Sequence, residues 1–244
     1  MAGADRDIYD AESNLSCRSP GELMPIELNR SGKERQTAHE FVREALRRAI
    51  FRGELAAGEH LIQAEVASQL SVSVTPVREA MRDLATEGLI VLDSHRGGIV
   101  RGTSREDLEE ILRIREKLEP MAVDLSVRNV TDNELDRADQ LAELMVGESD
   151  LGAWVELNRR FHCLLHDAMR SRHLTAIFNR LEDAAALCTA QSQRIEPSIR
   201  RRANDDHIDL LRAYRQRDAD AALAIQIPHT ALSLGSLPSA SSTI

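Results

Sequence analysis

The stretch Ser73-Val74-Thr75-Pro76-Val77-Arg78 constrains this chain more than any other, because it fixes where a helix begins and which of its sides is buried. Thr75 is a capping-type residue, and Pro76 suits the first helical position, where its missing N–H has no intrahelical bond to lose. Val77, Ala80, Met81 and Leu84 then recur at helical spacing, so one side is apolar. Arg78, Glu79, Arg82 and Asp83 fall on the other side, and Gly88 stops the element.

What precedes this helix reads as its support. Thr37 with Glu40 forms a capping box, and Ala38, Phe41, Val42, Ala45, Leu46, Ala49 and Ile50 make an apolar stripe ending at Gly53. A turn at Ala57-Gly58-Glu59 leads to a short helix from about Gln63 to Leu70, close enough to the opening stretch to make a helix-turn-helix. Beyond Gly88, Leu89 to Leu92 reads as a strand, Asp93 to Gly98 as a turn, and Ile99 to Arg101 as the return strand. That hairpin is a wing with His95, Arg96, Gly97 and Gly98 at its tip, where a cation can lie in or beside a minor groove. The order is that of a winged helix-turn-helix. The expected DNA contacts are Ser73, Thr75, Pro76 and Arg78 on the helix and His95, Arg96 and Gly97 on the wing.

Overall charge does not advertise such a role. The net charge is −9, and residues 31–103 hold ten basic and ten acidic residues, so any DNA contact depends on local placement of charge. No apolar run approaches a membrane span, and the acidic start (Asp5, Asp7, Asp10, Glu12) is unlike a signal peptide, so the expected location is the cytoplasm, with no membrane partner. Cys17, Cys163 and Cys188 lack metal or redox spacing and read as reduced thiols.

From Ser104 the pattern is helical throughout. The expected organisation is a flexible leader over 1–34, the winged helix-turn-helix over 35–103, an all-helical bundle over 104–234 and a flexible tail over 235–244, in a mostly α chain. Six helices are expected in the bundle, from Ser104 with a kink or break at Pro120, Thr131 to Met145, Asp150 to Met169, His173 to about Gln193, Pro197 to Arg215, and Asp218 to about Leu232.

Polar residues on apolar stripes are the anomalies of this half, since a buried polar group is costly unless paired. Asn158 and His162 lie one turn apart on one helix, and His207 and His229 each sit on the inward stripe of a later one. Three imidazoles and an amide oxygen suit a borderline divalent cation such as Zn, Ni or Mn; each histidine taken singly reads as well as a hydrogen-bonded core residue. Arg115 also falls on an apolar stripe and needs an anion, supplied either by Glu119 one turn on or by a carboxylate ligand in the bundle. A helical metalloenzyme with an accessory domain is the reading from another class, but the chain has no HExxH motif and no paired catalytic carboxylates.

These residues resemble the GntR transcription regulators of the FadR-like class, whose C-terminal half is the all-helical FCD domain. The resemblance covers residues 37–232. It is carried by Gly58-Glu59-His60-Leu61, Glu65-Val66-Ala67, Ser73 to Leu84 and Glu87-Gly88-Leu89, then by Arg115-Glu116-Lys117-Leu118-Glu119-Pro120, Asn158-Arg159-Arg160-Phe161-His162 and Asp206-His207. It implies a ligand-responsive repressor, a homodimer on a double-stranded operator, with metal ligands at Asn158, His162, His207 and His229. It also implies that Arg115 contacts a small organic acid effector. Many relatives carry Asp in place of Asn158 and Arg in place of Val74 and Ala64. Pro228 precedes His229, which makes His166 the alternative ligand. A regulator of the same kind without metal is the alternative.

Overall fold

The computed structural model describes residues 37–93, 97–102 and 104–237. Helix α1 (Ala38–Arg52) starts at the expected capping box, with Thr37 and Glu40 bonded reciprocally, and ends on Gly53 in the left-handed region. Strand β1 (His60–Ile62) leads into α2 (Gln63–Leu70) and α3 (Val74–Thr86), and β2 (Ile90–Asp93) and β3 (Gly97–Val100) follow. The sheet is antiparallel in the order β1-β3-β2, with Leu61 opposite Gly98 and Leu92 opposite the same residue from the other side.

Two expectations are corrected here. Helix α3 begins at Val74 with Ser73 as its N-cap, so Thr75 lies inside the first turn and Pro76 is its third residue rather than its first. Pro76 is still tolerated, because none of the first helical N–H groups has an intrahelical acceptor. The wing is also a three-stranded sheet, not a lone hairpin, and Gly97 and Gly98 are buried strand residues rather than tip residues. Gly97 adopts φ 137°, and a Cβ there would lie 1.9 Å from the Leu61 carbonyl oxygen, so only glycine lets β1 close onto β3.

The second half comprises α4 (Arg105–Asn129), α5 (Asp132–Gly147), α6 (Leu151–Asp167), α7 (Arg172–Ile195), α8 (Ser198–Arg215) and α9 (Ala219–Thr230), closed by a 3-10 turn at Leu232–Leu234. Capping boxes at Ser104/Asp107 and Thr131/Glu134 set the starts of α4 and α5. Pro120 does not break α4; it is exposed, so the carbonyl that it leaves unpaired faces water. The chain stays packed beyond its expected end: Leu237 is buried, and Arg105 donates to the carbonyls of Leu234 and Leu237 at 3.2 Å each. The expected leader over 1–34 and the tail from 238 lie outside the described residues.

One continuous apolar core runs through both halves, from Val42, Leu46 and Phe51 of α1 to Trp154, Phe161 and Leu165 of α6. The α1 backbone approaches α6 closely, since a Cβ at Gly152 would lie 3.1 to 3.3 Å from Arg48 atoms. The winged helix-turn-helix is therefore seated directly on the helix that carries Asn158 and His162.

Candidate functional site

At the N-terminal end, Ser73, Val74, Thr75 and Arg78 are exposed around the start of α3 and Pro76 is half-buried, while Val77, Ala80, Met81 and Leu84 are buried against α1 and α2. Arg78 Nε donates to Gln63 Oε1 at 3.3 Å, so α2 steadies the guanidinium at the helix start. His95 and Arg96 lie outside the described residues. Gly97, expected beside them, is covered by β1.

In the bundle the structure brings together residues far apart in the chain. His162 of α6, His207 of α8 and His229 of α9 are all buried, with ligand-capable atoms within 4.8 Å of one another. His229 Nδ1 faces Asp206 Oδ2 at 3.1 Å; a carboxylate only accepts, so Nδ1 carries the proton and Nε2 of the neutral ring is a lone pair. That Nε2 is 3.3 Å from His162 Nε2. Two nitrogens on adjacent corners of a tetrahedron with metal–nitrogen bonds of ~2.0–2.1 Å stand roughly 3.3 Å apart. His207 is fully buried and neither ring nitrogen has a hydrogen-bond partner among the described residues. An orphaned imidazole of this kind costs ~1–3 kcal/mol unless something meets its lone pair. The donor set fits a divalent cation.

Burial holds the His162 and His207 rings well below the usual imidazole range, and neighbouring histidines push in the same direction. Neutral rings are the form that binds metal. His166 is placed differently: its Nδ1 pairs with Asn179 Oδ1 at 3.0 Å, and it is not part of the triad. Pro228 does not displace His229, because its exposed ring leaves α9 intact through Thr230.

Asn158 is buried beside the triad, and its Nδ2 makes a long contact of 3.5 Å with Glu182 Oε1, which leaves Oδ1 as the oxygen suited to a ligand role. Arg115, 3% exposed, is held by two carboxylates: Nε and Nη2 reach Glu119 at 3.0 and 3.4 Å, and Nη1 reaches Glu182 Oε2 at 3.1 Å. The anion that Arg115 requires is thus supplied from within, by the foreseen Glu119 and by Glu182, which the sequence reading missed. Arg115, Trp154, Asn158, His162, Glu182 and His229 line one cavity of about 40 Å³.

Comparison with known proteins bears on this arrangement. Residues 38–100 match the model of the bacterial regulatory proteins of the gntR family, and residues 110–231 match the FCD domain. The chain belongs to the GntR family. It is a transcriptional regulator with an FCD domain, and the relatives named here are regulators, not enzymes. The chain is 32% identical over 148 residues to the uncharacterized HTH-type transcriptional regulator YdhC of Bacillus subtilis (strain 168), covering 59% of this chain and 66% of YdhC. It is 33% identical over 117 residues to the HTH-type transcriptional regulator McbR of Escherichia coli (strain K12), covering 47% of this chain and 53% of McbR. The HTH-type transcriptional repressor GlaR of the same organism is 28% identical over 148 residues, 58% of this chain and 67% of GlaR. The fold matches the solved E. coli McbR/YncC, with a TM-score of 0.67 and 24% identity over 82% of this chain and 96% of that one. A putative GntR regulator from Rhodococcus sp. RHA1 gives a TM-score of 0.63 at 21% identity, over 82% and 99% of the two chains.

Within this GntR chain the metal-ligating candidates converge, whereas the DNA-reading candidates divide into an exposed set on α3 and a glycine enclosed in the sheet. No helix among the described residues is long and apolar enough to cross a membrane.

Proposed function

We propose that this GntR-family chain is a metal-loaded repressor that leaves or holds its operator according to whether a small carboxylate occupies the cavity beside the histidine triad. The observation that carries the reading is His207, fully buried with both ring nitrogens unpartnered among the described residues, facing two other imidazoles whose Nε2 atoms stand 3.3 Å apart. His162, His207, His229 and the Asn158 oxygen hold the ion, with Zn, Ni or Mn fitting the donors. Asp206 orients His229 from behind, in the manner of outer-shell carboxylates.

The ion also sets the charge of the cavity. Arg115 is held there between Glu119 and Glu182, and a divalent ion adds two positive charges beside them. Carboxylate binding therefore depends on the metal, and Arg115 contacts the effector in a supporting role while holding the two glutamates. At the other end, Ser73, Thr75 and Arg78, with His95 and Arg96 of the wing, contact a double-stranded operator in the cytoplasm. The chain acts as a homodimer with two recognition helices in successive major grooves.

Metal analysis of protein purified without a histidine tag tests the reading. The expected result is about one divalent ion per chain in the wild type and far less in His162→Ala and His207→Ala, in line with a lost ligand. A wild type that stays metal-free in metal-replete buffer overturns it and leaves the three histidines as core residues.

A further inference from the structure

Helix α7 places Glu182, Ala185, Thr189 and Gln193 at intervals of three, four and four residues, hence on one face, and all four line the cavity with His162 and His229 of the triad. Gln193 is the unexplained member. It is 4% exposed, and both its Oε1 and its Nε2 are buried without a hydrogen-bond partner among the described residues. Its neighbour Ser192 is satisfied locally by the Thr189 carbonyl at 2.9 Å, so the amide stands apart as an unmet donor and acceptor on a residue of the cavity wall. A buried amide left in that state is costly unless a visiting group meets it.

We infer that Gln193 is the second pole of the effector site and reads an uncharged hydroxyl on a short monocarboxylic acid. This rests on the metal-sensor reading above. A hydroxyl both donates and accepts, so it meets Oε1 and Nε2 together, whereas a second carboxylate only accepts and leaves Oε1 unmet. The cavity of about 40 Å³ has room for roughly three waters, which keeps the acid short.

Calorimetry on the full-length, zinc-loaded protein tests this with 3-hydroxypropionate against propionate, 4-hydroxybutyrate against butyrate, and succinate as the dicarboxylate. The wild type should prefer at least one hydroxy acid over its plain counterpart by roughly tenfold to a hundredfold, as expected when a buried polar group is met or left unmet. Gln193→Leu should reduce that preference to about twofold or less, with zinc content measured in parallel. Equal affinity for both members of each pair in the wild type overturns the assignment without needing any variant. A preference that survives in Gln193→Leu overturns it as well, and so does tighter binding of succinate, whose second carboxylate cannot donate to Oε1. Binding of none of these acids to zinc-loaded wild type overturns the inference together with the carboxylate-sensing reading beneath it.

Discussion

Arg115 and His166 show how burial decides what a charged or titratable side chain does in this bundle. Arg115 is enclosed with Glu119 and Glu182, so Arg115→Ala strands two carboxylates in the core. Removing one partner of a buried pair costs ~3–5 kcal/mol, and urea denaturation of that variant should show a loss of this size. A loss below about 1 kcal/mol means that water or another cation reaches the glutamates. For His166, burial and then the nearby Arg115 charge push the ring down to about 4. Its unfolded value is ~6.5, so the unfolded chain binds the extra proton in between. Stability from this group is complete above pH ~6.5 and is lost as pH falls towards about 4, by up to about 3 kcal/mol. Denaturation of metal-free protein from pH 7.5 down to 5 should show that decline, with a shallower slope in His166→Gln. An unchanged slope in the variant would place the acid sensitivity on other groups.

Helix α6 is the element through which the cavity reaches the DNA-reading end. Glu156 sits between Asp150 at its N-cap and Asn158 and His162 in the cavity, and it accepts from Arg47 of α1 at 2.9 Å. Arg47 is buried and also pairs with Glu87, which caps α3 at its C-terminal end. Helices α6 and α3 therefore share one arginine. Glu156→Gln should leave metal content unchanged while shrinking the effect of effector on operator affinity, a coupling typically of ~1–3 kcal/mol. Fluorescence anisotropy on an operator selected from random duplexes measures it; full coupling in the variant would rule out this route. Elements with local signals were legible in the sequence: Thr37/Glu40, Ser104/Asp107 and Thr131/Glu134 each announce a helix start through two reciprocal bonds. Strand β1 was not, because three residues with a single inward Leu61 carry no period and the strand exists only through its pairing with β3. The start of α3 was misjudged by two residues because Ser73 and Thr75 are both capping types. His162, His207 and His229 stood out on apolar stripes. Glu182 and Gln193 did not, since polar residues along α7 look solvated until other helices close over them. Their spacing on one face with Thr189 was the available signal.

At the scale of the whole molecule, a chain of net charge −9 must hold DNA through few cations. Those of α1 are occupied: Arg43 lies near Asp83 and Glu87, Arg47 pairs with Glu87 and Glu156, Arg48 with Glu44, and Arg52 with Asp150 at 2.6 Å. Arg78, Arg82 and Arg101 are exposed, with no ion pair among the described residues. Three such cations per protomer give about six phosphate contacts in a dimer, and a slope of log affinity against log salt of roughly −5. Between 50 and 200 mM salt the operator complex should weaken by about a thousandfold. Arg78→Ala in both protomers should lose much of the affinity at every salt concentration and flatten the slope by about two. An unchanged slope in Arg78→Ala would show that this guanidinium points away from the phosphates, and full binding at physiological salt would remove α3 from the interface. A wild-type slope near half the expected value means that a single protomer engages the DNA, which sedimentation of the complex distinguishes by mass. The acidic bundle repels DNA, so the contacts are confined to the small neutral module, and two copies of that module on one operator is the arrangement that the salt slope tests.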